Sequence, residues 1–279
     1  MKFLSYNIFL GGKEADPECI SFIKDYVSER TDLIMETIKE VNPDLLTIQE
    51  ANYFEKNDYE LTRLYSETLG MPYYSLAKGK RQINGSAHNV VTFSKVPIKK
   101  SQIIPLHSNA CLETILETKI GEIGVFNTHL APYSEDQRLA EARTIMEQAK
   151  KFDSYLVMGD MNSLSHTDSY DEAFHQSLNG RQRRKFIKND RIENSVMRFF
   201  QSEGAIDIAQ NKEKNHIRTV PTASNKDPNH GSEMRLDYML CSHKLLPYIE
   251  DYQVLKTEIS NLGSDHYPVV ITVSDKLFT

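Results

Sequence analysis

Cysteine is scarce in this chain. Among 279 residues it occurs three times, at Cys19, Cys111 and Cys241. The odd count and wide spacing support neither a disulfide framework nor a zinc-ligand pair, so a reducing compartment is expected. Long apolar runs are missing too, and none approaches the roughly 18–20 residues that span a bilayer. The opening MKFLSYNI lacks the charged head, apolar stretch and small-residue cleavage site of a leader, and it reads as a strand of the fold. The expectation is a soluble, cytoplasmic protein without membrane insertion and with no obligate protein partner evident. Net positive charge is also absent. The formal net charge is −6, which argues against holding nucleic acid over a broad basic surface but leaves brief contact through a local patch open.

Several catalytic signatures are absent. There is no HExxH and no G-x-S-x-G nucleophile elbow. Gly11-Gly12-Lys13 is a short Gly-rich turn and not a Walker-type phosphate loop.

What remains is a chain of ordinary globular balance, 39% hydrophobic and 26% charged, able to bury a sizeable core as one domain over residues 1–279. Apolar runs of strand length alternate with segments of helical period. Strands are expected at Lys2–Ile8, Asp44–Glu50, Tyr73–Ala77, Asn89–Ser94, Ile98–Pro105, Leu112–Ile120, Gly124–Leu130, Tyr155–Gly159, Leu236–Leu240, Tyr252–Leu255 and His266–Val273. Helices are expected at Pro17–Val41 with a break near Thr31–Asp32, and at Asp58–Leu69, Glu135–Phe152, Thr167–Leu178 and Arg191–Glu203. Asn42-Pro43 should stop the first helical segment, because the residue before proline disfavours the α region. Adjacent strands mixed with helix-linked ones predict an α/β sandwich with both parallel and antiparallel pairing. Two segments fit no compact element: the basic Gly180–Lys188, and the polar Asn211–Arg235 with its two prolines.

The chemistry is carried by polar residues at the ends of apolar runs. FLSYN ends in Asn7, LLTIQE in Glu50, and YLVMGDMN in Asp160 and Asn162. VFNTHL carries His129 near a strand end, RLDYML carries Asp237 within an apolar strand, and GSDHYPVVITV opens with Asp265 and His266. Any one of them is ordinarily a turn former, a helix cap or a satisfied histidine. Asp237 stands out, because a buried carboxylate without a partner is costly. The set combines carboxylates and carboxamides with two histidines. Such oxygen donors suit Mg²⁺ or Mn²⁺ together with phosphate oxygens. Glycosidases pair carboxylates without needing histidines and asparagines beside them. In-line attack of water on a phosphate ester needs an activated water, neutralised non-bridging oxygens, a stabilised leaving oxygen and a positioned phosphate, and this set supplies all four.

The segments SYNI, TIQE, NTHL, MGDMNS, RLDY and GSDHYPV, in that order along the chain, resemble the endonuclease/exonuclease/phosphatase superfamily of deoxyribonuclease-like metal-dependent phosphodiesterases. The resemblance implies a four-layer α/β sandwich, two mixed sheets face to face with helices outside. It implies that Asn7 and Glu50 hold the metal, Mg²⁺ or Mn²⁺, with Asp265 close by. It further implies that Asp160 orients or deprotonates the attacking water, Asn162 binds phosphate, His266 acts at the scissile phosphate with Asp237 orienting it, and His129 makes a second phosphate or leaving-group contact. The sequence departs from the abasic-site branch: SYNIFLGG replaces a Trp-Asn-x-Asn-Gly opening in a chain without tryptophan, and that branch usually lacks the THL histidine. HNVVTFSKVPI resembles the family's SRYPI region with Lys95 in the basic position, and no catalytic role is carried onto it.

His88, His107, His166, His175, His216, His230 and His243 are expected on the surface or in loops, with His88 in a segment that could face the site. The basic stretch Arg181, Arg183, Arg184, Lys185 and Lys188 reads first as a solvated face and second as a phosphate contact. The leading expectation is a metal-dependent phosphodiesterase or nuclease acting on a phosphate ester, with nucleic acid among the candidate substrates. The alternative is a phosphatase or phosphodiesterase on a small molecule or lipid headgroup, like sphingomyelinases and inositol phosphatases. A remoter alternative is an inactive binding scaffold.

Overall fold

The computed structural model describes residues 1–12, 29–80, 87–225 and 231–278. In chain order its elements are β1 (Lys2–Asn7), α1 (Glu29–Val41), β2 (Leu45–Gln49), α2 (Glu60–Leu69), β3 (Tyr73–Ala77), β4 (Val90–Ser94), β5 (Ile98–Pro105), β6 (Ala110–Thr118), β7 (Gly121–His129), α3 (Glu135–Ala149), β8 (Ser154–Asp160), α4 (Glu172–Ser177), α5 (Gly180–Phe186), β9 (Ile187–Lys188), β10 (Arg191–Ile192), α6 (Ser195–Ser202), β11 (Ile206–Asp207), α7 (Ile208–Asn211), β12 (Asp237–Cys241), β13 (Ile249–Val254), α8 (Glu258–Gly263) and β14 (Val269–Val273).

Among the described residues, two six-stranded sheets follow one plan. The first runs β13-β14-β1-β2-β4-β3 and the second β11-β12-β8-β7-β6-β5. In each, the two middle strands are parallel, β1 with β2 and β8 with β7, and the remaining neighbours are antiparallel. Parallel neighbours need a crossover. Helix α3 lies in the chain between β7 and β8, and α1 lies between β1 and β2.

Alternation along the strands sorts side chains into layers. Phe3, Leu45, Val125, Leu156, Met158, Met239 and Ile271 share one apolar cluster between the sheets. Leu4, Tyr6, Leu46 and Ile48 turn the other way, onto Ile34 and Ile38 of α1 and Tyr65 of α2. Phe126, Val157 and Tyr238 pack on Ile145 and Met146 of α3 and on Val196 and Phe200 of α6. Helix, sheet, sheet, helix is the four-layer α/β sandwich that the motifs implied.

Toward the end of the sandwich that carries Asn7, the inter-sheet layer turns polar. Gln49 Nε2 donates to Asn127 Oδ1 at 2.8 Å and to Ser5 Oγ at 3.2 Å, while Asn127 Nδ2 donates to the Val91 carbonyl at 2.9 Å. These fully buried amides join β2 and β4 of one sheet to β7 of the other, and their mutual bonding meets the cost of burying them.

The structure corrects several sequence expectations. The first helix runs through Thr31–Asp32 without a break, and the segment from Pro17 to residue 28 lies outside the described residues. Asn42 follows that helix at φ 49°, in the left-handed region suited to asparagine. Only Glu172–Ser177 of the expected Thr167–Leu178 is helical, because Asp171 caps it by accepting from the Phe174 amide. In place of a helix from Arg191, that residue and Ile192 pair with Lys188 and Ile187 as a short hairpin, and helix α6 begins at Ser195. The basic Gly180–Phe186 is helix α5, started by an Asn179–Gln182 capping box. Within Asn211–Arg235, Val220 and Met234 form an isolated antiparallel bridge, and 226–230 lie outside the described residues. Among the described residues no helix is long and apolar enough to cross a membrane.

Candidate active site

The strand register brings the separated motifs together. β7 and β8 run in parallel with His129 beside Asp160, and β12 runs antiparallel to β8 with Asp237 beside the same Asp160. A glycine makes this approach feasible. Gly159 sits at φ +140°, and a Cβ there would stand 1.9 Å from the Thr128 carbonyl oxygen. In the other sheet, β1 and β2 end together, with Asn7 beside Gln49. Glu50 follows at φ 52°, its carbonyl accepting from the Gly11 amide at 2.8 Å and its Oε2 from the Leu10 amide at 2.9 Å. A non-glycine residue in that region carries about 1–3 kcal/mol of strain, which these bonds help to sustain.

Asp160 is the hub. Its Oδ2 accepts from Asn7 Nδ2 at 3.1 Å and lies 3.4 Å from His129 Nε2 and 3.8 Å from His266 Nε2. Its Oδ1 accepts from the Asn162 amide at 2.8 Å. Asn7 Nδ2 also reaches Glu50 Oε1 at 3.3 Å. His266 Nδ1 meets Asp237 Oδ2 at 2.8 Å, and both are buried. Ser264 ties in the last motif, because its hydroxyl donates to the Asn7 carbonyl at 2.7 Å and lies 3.4 Å from Asp265 Oδ1. Asn7, Glu50, His129, Asp160, Asn162, Asp237, Asp265 and His266 are thus all buried at one end of the sandwich.

The electrostatics separate the histidines. Burial lowers the His266 pKa, but the Asp237 carboxylate and then Asp265 oppose it, and the outcome is a rise to about 10. Burial likewise pushes the Asp237 carboxyl up, against the pull of His266. Burial dominates at His129 and takes it down to about 4, despite Asp160 and Glu50. Burial raises Glu50, yet His88 and then His129 and the Leu10 amide outweigh it and hold the carboxyl well below its ordinary range.

His88 is where sequence reasoning fell short. It lies in the loop before β4 but is half-buried and faces the site: Nδ1 lies 3.5 Å from Glu50 Oε2 and its ring meets the His129 ring edge-on at 5.7 Å between centroids. Glu50, His88 and His129 each offer a ligand atom, all within 4.8 Å of one another. His129 Nδ1 is buried with no hydrogen-bond partner among the described residues. A buried imidazole nitrogen without a protein partner is the kind of donor a divalent cation takes up. The donor set therefore fits a divalent metal, and it includes imidazole as well as the expected oxygens. The signal available in sequence was the position of His88 just before the buried strand β4, which starts two residues later.

The sequence also predicts a solvated Lys185, and the structure differs. Lys185 is buried, and its Nζ lies 2.5 Å from Asn162 Oδ1. Lys95 lies at the far end of the sandwich, where β4 and β2 pair Ser94 with Leu45, and its Nζ bonds Asn42 Oδ1 at 2.6 Å. His166 bonds Gln201 on α6 at 2.7 Å, away from the hub, and His230 lies outside the described residues.

Comparison with known proteins agrees with this fold. The sequence model of the endonuclease/exonuclease/phosphatase family matches residues 4–266. No curated protein matches the chain by sequence. Among solved structures, a family protein from Leptotrichia buccalis is 15% identical with a TM-score of 0.65. A 3′ phosphatase from Neisseria bound to a product DNA hairpin is 14% identical with a TM-score of 0.66. An AP endonuclease from Archaeoglobus fulgidus is 16% identical with a TM-score of 0.65. In all three the similarity covers 98% of this chain and 99% of the other. At these identities the likeness is one of fold.

Proposed function

Because this chain belongs to the endonuclease/exonuclease/phosphatase family, whose members hydrolyse phosphate esters with divalent metals, we propose that it is a metal-dependent phosphodiesterase acting by in-line water attack, with nucleic acid the leading substrate class. The observation that carries this reading is the Asp160 hub: one buried carboxylate within 3.8 Å of Asn7, His129 and His266 side-chain nitrogens. The relatives of similar fold include proteins described as a 3′ phosphatase bound to DNA and an AP endonuclease, which supports the nucleic-acid choice. We take the chain as one catalytic domain, since site residues from Asn7 to His266 meet in one place.

In this reading Glu50 and Asn7 hold the cation, with Asp265 nearby and His88 and His129 offering nitrogens. A divalent ion there, Mg²⁺ or Mn²⁺, would polarise the phosphoryl oxygens and lower the pKa of water. Asp160 orients the attacking water and accepts its proton, being the buried carboxylate at the centre of the cluster. Asn162 donates to a non-bridging oxygen. His266 stays a cation at neutral pH, with Asp237 on its Nδ1, so it serves the negative charge that grows on the phosphate. The carboxylate partner fixes its tautomer and ring orientation. His129, neutral at that pH, flanks the leaving-group side.

A substrate panel tests the proposal: supercoiled plasmid, an abasic-site duplex, bis(4-nitrophenyl) phosphate, sphingomyelin and an inositol phosphate, each with Mg²⁺ or Mn²⁺ and with EDTA. Plasmid nicking that falls steeply with salt supports the nuclease reading. Turnover of sphingomyelin or the inositol phosphate alone replaces it with the small-substrate alternative. Activity that persists in EDTA overturns the mechanism, and no turnover at all returns the inactive scaffold.

A further inference from the structure

We propose that Lys185 is a positioning residue of this site: its buried ammonium fixes the Asn162 carboxamide so that its free Nδ2 hydrogen faces the substrate. The inference rests on the phosphate-ester reading above.

Lys185 belongs to helix α5, within the run GRQRRKF. Arg181, Arg183 and Arg184 are exposed there, whereas Lys185 is 7% exposed. Its Nζ ends 2.5 Å from Asn162 Oδ1. Asn162 Nδ2 donates to the Leu130 carbonyl at 3.0 Å. An ammonium can only donate and a carbonyl can only accept, so these two contacts set the same orientation of the carboxamide independently. One Nδ2 hydrogen is spent on Leu130, and the other is the one available to a phosphate oxygen. Asn162 itself stands at φ 50°, two residues after Asp160, and its backbone amide donates to Asp160 Oδ1 at 2.8 Å.

A pair of buried charges aligns the lysine with the asparagine. Arg138 and Glu135 of α3 are buried and joined at 3.0 Å. Arg138 donates to the carbonyl of Lys185 at 3.0 Å and to that of Ala131 at 3.2 Å. Glu135 accepts from the Ser163 hydroxyl at 3.0 Å and the Val196 amide at 2.9 Å. The residue after Asn162, the residue after Leu130 and the backbone of Lys185 are therefore tied to one ion pair. Burying three charged groups is expensive. If the site served only packing, Met at 185 would cover the Phe186 ring, which Nζ approaches to 4.9 Å, without desolvating an ammonium.

The test is steady-state hydrolysis of bis(4-nitrophenyl) phosphate by wild type, K185M, K185R, N162A and the K185M/N162A double variant, with melting temperature and far-UV circular dichroism for each. The expected result is a kcat ~10- to 100-fold lower in K185M with KM changed less than threefold, partial rescue by K185R, and a double variant no worse than N162A within about threefold. A kcat for K185M within threefold of wild type overturns the inference, as does a double variant in which the two losses multiply. If K185M does not fold, K185Q takes its place under the same criteria. Wild type without activity on this or any other panel member overturns the phosphate-ester reading itself, and the inference with it. Wild-type activity with an indifferent lysine overturns the inference alone.

Discussion

His266 Nδ1 and Asp237 Oδ2 lie 2.8 Å apart, both buried, Asp237 at the start of a strand of one sheet and His266 in the turn that leads to a strand of the other. His266 opens the turn into β14, and Asp237 opens β12. The bond is therefore a contact between sheets as well as within the site. In EDTA-treated protein the His266 imidazole is expected to titrate near pH 10, against 6.5 for an unperturbed histidine. The folded pKa exceeds the unfolded one, so the stabilising contribution is fully present below about pH 6.5 and is lost as pH rises through about 10. Side-chain ¹⁵N NMR checks this. D237N should bring the His266 titration down and lower kcat by ~10²- to 10⁴-fold; an unmoved titration would contradict the pairing.

Asp160 supplies the second prediction. D160N keeps an oxygen to accept from the Asn162 amide but removes the negative charge. We expect hydrolysis to fall ~10²- to 10⁴-fold, while the melting temperature holds or rises, because a carboxylate kept buried for chemistry is destabilising. Single-turnover rates and thermal melts in the same buffer decide it.

Metal removal is the third. EDTA should abolish turnover, and re-adding the ion should raise the melting temperature in proportion to log concentration above Kd. Imidazole favours the borderline transition metals more than Mg²⁺. H88A should therefore weaken Mn²⁺ binding by more than it weakens Mg²⁺ binding, as read by calorimetry. Equal losses for the two ions would place His88 outside the coordination.

Gly159 gives a stability prediction independent of chemistry. At φ +140° with the Thr128 oxygen 1.9 Å from an added Cβ, G159A must push β7 and β8 apart. A loss of ~3 kcal/mol or more is expected in urea denaturation.

Much of this architecture was legible beforehand because strands that end in polar residues announce where a sheet stops and a site begins. The run LLTIQE combines an apolar strand with Gln49 and Glu50, and β2 ends there, at Gln49. Helix boundaries were harder. Thr31–Asp32 looks like a capping pair, yet Ile34 and Ile38 pack on the first sheet and keep the helix continuous; burial outweighs a local preference for capping. Arg191–Ile192 has helical surroundings but pairs across a tight turn, with Asn189 and Asp190 at φ 51° and 57°. His88 and Lys185 were hidden for a different reason. Each comes from a segment without strong periodicity, and its meaning depends on a partner distant in sequence, Glu50 or Asn162. Composition marked the α5 run as basic, but only the helix phase shows which of its cations points inward.

The Gln49–Asn127 bridge beneath the site has a mechanical consequence. Apolar side chains packed between the sheets hold them by shape, through contacts that carry no bond direction. A rung of amide bonds does have direction, and a shear of even an ångström would break it. The carboxylate of Glu50 follows one end of that rung, and the His129 imidazole lies two residues beyond the other. The spacing between the Glu50 and His129 side chains is gauged by this rung, so that geometry should survive warming until the rung itself fails. Activity would then end at a threshold temperature and not fade gradually.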